Sequence, residues 1–491
     1  MALTNTSLAA TIASAFAATL STTVASPVAT PVAAAIPTAV STAIPTTITN
    51  AFTRLRLSPA LYLLTPDLPF ALWRLTSELD LLRDWSTSAD RDYLALDPRA
   101  RSSSGLVGQR LSQLNLAAVG PHVGFQLGLT RSRWGLGLLS NAGDDPTAHT
   151  ADSPFGFPLQ GDHVVRAGLS AFPLGNGLSP RPPLTVSLAF DTVIDDELAS
   201  WSDGDRAYQL VAAVLGHAEH LTAGFYLAHR FQSHHQGGDT NVTVFDLFAR
   251  ITLTESEGTR AFLETEIATI RGNTSLPTST HHEGALDVDQ LGALVRFGVE
   301  RGPFLGVLEL AGLSGDTNPF DDEQRQFAAD RDHRAGLLLF RELMTANAAV
   351  TAENLANPDY RGDPPRGYER LTTQGAARGV FYANPRVSFA LTSDLHLYAG
   401  LLYATTDGEN VDPFWSSMSG GTPRGPRNGP PATDLGLEVD LGLSLRIDAN
   451  PLGLRFRAEA AWFSPGKVFA DANGVLPPDM WGAFFHGGLQ W

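Results

Sequence analysis

Strict two-residue alternation between apolar and polar side chains constrains the fold more than any other feature of this sequence. In 435–447, LGLEVDLGLSLRI, every odd-numbered residue is Leu, Val or Ile, and every even-numbered residue is Gly, Ser or charged. Residues 454–462, LRFRAEAAW, repeat the pattern after the short connection DANP. Because successive side chains of a strand point to opposite faces, this period predicts antiparallel strands joined by a tight turn.

The alternation often continues for 10 to 13 residues. A soluble β-sandwich also alternates, but its strands are usually only about 5–6 residues long. Strands of the observed length match a tilted crossing of a bilayer. We therefore predict an all-β protein: a transmembrane, antiparallel, up-and-down β-barrel whose apolar face meets lipid.

The connections between predicted strands alternate between short and long, as in barrels with short periplasmic turns and long extracellular loops. Seventeen strands can be identified between residues 51 and 491, and bacterial barrels of this kind have even numbers, so we expect about 18. The Ala/Thr/Pro-rich segment 1–50 contains no Lys or Arg. It is a degenerate signal peptide, a disordered tail, or the place of the missing first strand, around 35–50; alternatively, the true start and signal lie upstream of Met1.

Composition excludes several classes of function. The 34 basic and 51 acidic residues give a net charge of −17, which argues against nucleic acid as a partner. The absence of cysteine excludes disulfides and thiolate metal sites. His220, His229, Ser233 and Asp246 are the residues considered for a barrel-borne hydrolase, but no spacing links them, and we predict no enzymatic activity.

Charged residues on the polar face of the predicted strands line the lumen, because a charge at the bilayer midplane costs about 2–4 kcal/mol. They are Arg54, Arg56, Arg74, Glu78, Asp80, Arg166, Arg250, Glu264, Glu266, Arg296, Glu300, Glu309, Glu438, Asp440, Arg446, Arg455, Arg457 and Glu459. They serve either as ion pairs that brace the wall or as a charged constriction that selects ions and sugars. Arg446, Arg455 and Arg457 suggest a short cationic ladder suited to the carboxylates of an anionic polysaccharide.

The longest connection, 314–377, is too apolar at 334–344 to extend into water. Leu337, Leu338 and Phe340 predict a segment packed into the barrel mouth as a plug or lid. The acidic residues before it, including Asp316, Asp321 and Asp322, are a candidate Ca²⁺ site or an ordinary solvated loop. No other metal or cofactor is predicted.

Three blocks of sequence resemble a known family. They are TRSRWGLGLLSNAGDD (130–145), with the signature Trp134, Gly135, Leu136 and Gly137, then GDTNPFDDE (315–323) and DRDHRAGLLLFREL (330–343). The first and third resemble segments of large outer-membrane barrels from myxobacteria and their relatives, which are similar to alginate-export-type porins. The second resembles the acidic loop of alginate exporters. The resemblance implies eighteen strands, an arginine-lined lumen and loops that obstruct the pore.

The chain ends on WGAFFHGGLQW, an alternating segment with a final aromatic residue. Aromatic residues anchor barrels at the membrane interface. Resemblance to other outer-membrane barrels implies that Phe485, Leu489 and Trp491 form the signal recognised by the barrel-assembly machinery.

The sequence thus predicts an integral protein of the Gram-negative outer membrane, with outer-membrane lipids and the assembly machinery as partners. We expect a channel for small hydrophilic solutes or an anionic saccharide, including export of a polysaccharide. Two alternatives stay open: a non-conducting surface barrel that acts as adhesin or scaffold, and a barrel enzyme that acts on lipids.

Overall fold

The computed structural model describes residues 18–24, 51–65, 70–82, 110–143, 155–156, 161–235, 237–277, 284–357, 373, 375–449 and 452–490. At some strand ends, including 18–24, 51–56, 80–82 and 489–490, it describes the backbone alone. All structural statements below concern these residues.

A single β-sheet dominates the described chain. Its strands are β1 (Ala18–Val24), β2 (Ala51–Leu57), β3 (Ala60–Leu64), β4 (Leu72–Leu82), β5 (Arg110–Val119), β6 (Val123–Arg131), β7 (His163–Ala171), β8 (Leu184–Asp195), β9 (Arg206–His217), β10 (Leu221–Ser233), β11 (Asp239–Ser256), β12 (Thr259–Thr274), β13 (Leu286–Arg301), β14 (Phe304–Leu313), β15 (Glu323–Gln324), β16 (Val380–Ala390), β17 (Leu395–Thr406), β18 (Asp434–Ala449), β19 (Leu452–Pro465) and β20 (Met480–Gln490).

The strands of the wall pair antiparallel with their neighbours in sequence. β2 and β3 both pair with β4 and form one interrupted wall strand, whereas β15 is a short parallel addition to β13. β1 pairs with β2 on one side and with β20 on the other. With β2 and β3 taken together and β15 left out, these elements give 18 wall strands. The predicted up-and-down β-barrel is confirmed.

The strand that completes the even number is β1, at Ala18–Val24. The alternative position for this strand, around 35–50, lies outside the described residues. Parity therefore indicated a strand within the N-terminal segment, but sequence alternation did not locate it, because four of the seven residues of 18–24 are Thr or Ser.

The outer face of the barrel is apolar. Leu188, Leu210, Leu247, Leu291 and Leu441 are each more than half exposed. Their sequence neighbours on the opposite face are largely buried, so the exposed side chains point outward, as lipid-facing residues do. Within the described part of the chain, no helix is both long and apolar enough to cross a bilayer.

β11, β12 and β13 are longer than the alternation predicts, at 18, 16 and 16 residues. Their hydrogen-bonded ladders continue beyond the apolar belt towards the long-loop end of the barrel. There the outward residues become polar, and Arg271 pairs with Asp289 at 3.2 Å with both side chains more than 60% exposed. The ladder continues because backbone pairing does not depend on an apolar face.

Helical structure is confined to loops at the long-loop end. A π-helical turn, Leu339–Met344, continues directly into α1 (Thr345–Ala356). A second short helix, α2 (Pro413–Met418), begins after Asp412, whose carboxylate accepts a hydrogen bond from the N–H of Trp415. This capping contact satisfies one of the unpaired amides of the first turn.

Candidate functional site

The charged side chains inside the barrel form ion pairs, most of them between neighbouring strands and some within one strand or across an intervening strand. The closest contacts are Glu78 with Arg131 at 2.8 Å, Arg166 with Asp191 at 2.7 Å, Arg250 with Glu264 at 2.5 Å, Arg296 with Glu309 at 2.6 Å, and Arg457 with Glu459 at 2.7 Å. Glu300 pairs with Arg260 at 2.8 Å. The predicted lumen residues in these pairs therefore brace the wall and neutralise one another.

The most enclosed network surrounds Glu309, which is fully buried. Its carboxylate contacts Arg296 at 2.6 Å and Arg386 at 3.2 Å, and it accepts a hydrogen bond from the Tyr382 hydroxyl at 2.8 Å. His333, which comes from the loop after β14, bonds to the same hydroxyl at 2.8 Å. The network joins β13, β14 and β16 to a loop inside the barrel.

Three loop segments fold into the barrel, and we call them the inserted loops: residues 132–143, 155–156 and 327–344. Their apolar side chains form one buried cluster with inward residues of the wall. The members from the inserted loops include Leu136, Leu138, Phe155, Phe327, Leu337, Leu338, Leu339 and Phe340. The structure thus places Leu337, Leu338 and Phe340 inside the barrel, in an apolar core.

A wall carboxylate holds the longest inserted loop. Glu438, on β18, is fully buried and accepts hydrogen bonds from three consecutive backbone N–H groups, those of Leu337 at 2.5 Å, Leu338 at 2.8 Å and Leu339 at 2.7 Å. These amides precede the π-helical turn, where a negative charge is favourable. Glu438 is therefore an anchor for the loop backbone. Asp440 lies beside it on the same face and is also fully buried.

The family-signature segment is anchored in the same way. Glu266, on β12, accepts hydrogen bonds from the N–H groups of Leu136 and Leu138, the latter at 3.1 Å. Gly135 has a φ of +52°, and a Cβ atom there would lie 2.5 Å from Oε2 of Glu266. Trp134 donates its indole N–H to Asp246 at 3.0 Å. Glycine at position 135 therefore allows the loop backbone to approach the wall closely.

A third wall carboxylate, Glu459, holds residues 155–156, which belong to the same β6–β7 loop as 132–143. It accepts a hydrogen bond from the N–H of Gly156 at 3.2 Å and from the Tyr398 hydroxyl at 3.0 Å. Arg457 and His486 contact the same carboxylate at 2.7 Å and 3.1 Å. Glu459 thus combines a wall ion pair with an anchor for the loop.

Glycines on the inner face provide space for the inserted loops. A Cβ atom at Gly292 would lie 2.5 Å from the ring of Phe327. A Cβ atom at Gly400 would lie 2.8 Å from Phe155, and one at Gly482 would lie 2.8 Å from Leu338. The glycines that alternate with apolar residues in these strands are therefore needed for loop packing.

The predicted cationic ladder is interrupted by acidic residues. Arg446 lies opposite Arg455 in the β18–β19 register but pairs with Asp448 at 2.8 Å, and Arg457 pairs with Glu459. Arg74 is exposed. The side chains of Arg54, Arg56 and Asp80 lie outside the described residues.

The acidic residues that precede the inserted segment 327–344 bind groups of their own loop. Carboxylate oxygens of Asp316 accept hydrogen bonds from the N–H groups of Asn318 and Arg325, at 3.0 and 3.2 Å. Asp321 accepts from the N–H of Glu323 and pairs with Arg325 at 3.3 Å. A Ca²⁺ site at Asp316, Asp321 and Asp322 stays a prediction that these contacts do not favour.

The residues considered for a hydrolase do not converge. His229 points outward and bonds to Thr243 at 2.8 Å, whereas Asp246 points inward to Trp134. His220 lies in the short turn between β9 and β10, and Ser233 bonds to Asp239 at the opposite end of β10. Among these four residues the structure forms no catalytic arrangement.

In the proposed assembly signal, Phe485 lies in β20 opposite Ala458 of β19. The side chain of Leu489 and the whole of Trp491 lie outside the described residues. Recognition by the assembly machinery stays a prediction.

An 18-stranded antiparallel barrel with an apolar exterior, an ion-paired interior and loops folded inside defines the outer-membrane type of β-barrel. Solved structures share this fold. OpdL of Pseudomonas aeruginosa superposes with a TM-score of 0.51 at 10% identity, over 97% of each chain. OccAB1 of Acinetobacter baumannii gives 0.51 at 8% identity, over 97% of this chain and 94% of that one. The outer membrane protein OprD of P. aeruginosa gives 0.50 at 10% identity, over 97% and 92%.

No known protein family matches the sequence, and no curated protein sequence matches it. The structural likeness supports a large outer-membrane β-barrel, as predicted. It does not support the finer resemblance to myxobacterial barrels and alginate exporters, which stays a prediction.

Alternation did not reveal the partners of the inward carboxylates. Glu266 and Glu438 occupy lumen positions like those of Glu264 and Glu300, yet they bind loop backbone. The sequence signal that accompanies such an anchor is glycine next to the loop leucines. Gly135 and Gly137, with φ of +52° and +78°, are the example.

Proposed function

We propose that this protein is an outer-membrane channel for small hydrophilic solutes, closed at its long-loop end by the inserted loops. The observation that carries the proposal is the polar, ion-paired interior within an apolar outer belt. The shared fold of outer-membrane barrels supports the same location and class. The chain needs no energy source or cofactor for such passage.

The inserted loops are the proposed gate. They lie inside the wall, and three separate carboxylates hold them by backbone hydrogen bonds. Such contacts are polar and local, so they can exchange for water when a loop moves. Release of 327–344 would remove the largest part of the internal core.

Single-channel recording in planar bilayers tests the proposal. The refolded full chain is compared with a variant that lacks 314–377, and heat-modifiable gel mobility establishes that each barrel is folded. We expect low or intermittent conductance from the full chain and large, steady conductance from the deletion variant. Silence from both folded barrels would rule out a channel.

The buried apolar core inside the barrel favours one alternative, a non-conducting barrel that serves as a surface scaffold. In that case the deletion would open a pore that the full chain never shows under any voltage or solute condition.

Passage of an anionic polysaccharide is the finer form of the proposal. The interior weakens it, because Arg446 and Arg457 of the predicted ladder pair with carboxylates of their own strands. Added alginate-like oligomers distinguish the two forms: they block a polysaccharide channel and leave the conductance of a small-solute channel unchanged.

A further inference from the structure

Carboxylates from three separate loops meet at the long-loop end of the barrel. Asp162 precedes β7, Glu197 follows β8, and Asp330 lies in the connection after β14. One carboxylate oxygen from each residue lies within 4.8 Å of the others. Two oxygens on opposite sides of a Ca²⁺ ion, each at about 2.3–2.6 Å, have this separation. The three residues are therefore spaced as ligands of one cation.

The charge around these carboxylates is only partly balanced. The neighbouring charged groups are Asp195, Asp196, Asp332, Arg230 and Arg331. The side-chain nitrogens of Arg331 approach Glu197 and Asp195 only to 3.8 and 3.9 Å.

A second observation concerns the oxygens themselves. Oδ1 of Asp162 is shielded from solvent and accepts no hydrogen bond. By contrast, Asp330 accepts from the N–H groups of Asn141 and Asp332, at 2.8 and 2.7 Å. A buried carboxylate oxygen without a donor is unfavourable unless a cation or a proton satisfies it. Each oxygen of Asp330 keeps a second lone pair for a ligand.

We propose that Asp162, Glu197 and Asp330 bind one Ca²⁺ ion at the mouth of the barrel. The Glu197 side chain is 22% exposed, so water can complete the coordination on that side. Irregular loop ligands suit Ca²⁺ better than Mg²⁺, which requires near-ideal octahedral geometry. The ion would join the β6–β7 and β8–β9 loops to the inserted segment 327–344, to which Asp330 belongs.

Isothermal titration of the refolded full chain with Ca²⁺, after treatment with EDTA, tests the site. We expect one ion per chain, with Mg²⁺ binding more weakly. Asp162→Asn removes binding, and Glu197→Gln is a second variant in case the first does not fold. Asp321→Asn is the matched control, because Asp321 belongs to the acidic segment 316–323 earlier in the same connection and contacts Arg325.

The outcomes are distinct from those of the channel experiment, because binding is measured without conductance. Absence of Ca²⁺ binding to the folded wild-type chain at millimolar concentration overturns the proposal. Binding that survives Asp162→Asn and Glu197→Gln but is lost in Asp321→Asn overturns it also, and assigns the ion to the acidic segment 316–323. Binding lost in the first two variants alone supports it.

Discussion

Glu438→Gln is the substitution that most directly tests whether a wall carboxylate holds the gate closed. In the structure both oxygens of Glu438 accept backbone N–H groups: Oε1 from Leu337 and Leu338, and Oε2 from Leu339. Glutamine keeps one accepting oxygen and replaces the other by an NH₂ donor. The new NH₂ group therefore faces a backbone N–H group, and the hydrogen bond between that N–H and the carboxylate is lost. The remaining N–H groups then bind a neutral oxygen in place of a charged one.

The magnitude follows from the burial of the site. A hydrogen bond to a charged group contributes about 1.5–3 kcal/mol, and a buried donor left without an acceptor costs about 1–3 kcal/mol more. We therefore expect the held position of 327–344 to lose about 3 kcal/mol or more. Since about 1.4 kcal/mol corresponds to a factor of ten, the ratio of open to closed channels should rise at least ~100-fold.

The assay is single-channel recording of the folded variant, with the fraction of time in the open state as the readout. Glu300→Gln is the matched control, because it removes the same charge from a carboxylate that pairs with Arg260 on the neighbouring strand. We expect the control to open as rarely as the wild type. Protease sensitivity within 327–344 provides a readout that does not depend on conductance.

Two results would refute this reasoning. If folded Glu438→Gln stays as closed and as protease-resistant as the wild type, the three hydrogen bonds do not hold the loop. If Glu300→Gln opens the channel equally, the effect arises from the charge of the interior and not from the anchor.

Three further predictions concern stability. Gly135→Ala should lower the melting temperature, because its Cβ would lie 2.5 Å from Glu266 at a φ of +52°. Gly258→Ala is the control for backbone strain at positive φ alone, since a Cβ there would meet no atom within 4 Å. Glu309→Gln should cost about 3–5 kcal/mol in urea unfolding, since it removes the charged partner of the buried Arg296 and Arg386; an unchanged midpoint would contradict this. Burial raises the pKa of Asp412 to about 6. Its protonated form therefore stabilises the fold below about pH 4, and that contribution is lost as the pH rises through about 6. Asp412→Asn should flatten the dependence of the melting temperature on pH in this range.

Alternation alone predicted the wall. β18 and β19 were both predicted from their sequence pattern, and the outward leucines and inward charges follow because side chains of a strand alternate in direction. β1 was not predicted, because its Thr- and Ser-rich sequence lacks strong alternation. It forms a strand by pairing with β2 and β20.

The sequence by itself determined the barrel, its orientation towards lipid and the presence of an apolar segment in the longest loop. Only the tertiary structure decided what the inward carboxylates do. Glu264 and Glu266 have the same residue type on the same face of β12, yet one pairs with Arg250 and the other binds the amides of Leu136 and Leu138. The reason is physical: the period of a strand depends on local geometry, whereas the partner of an inward side chain depends on which distant loop is folded against it.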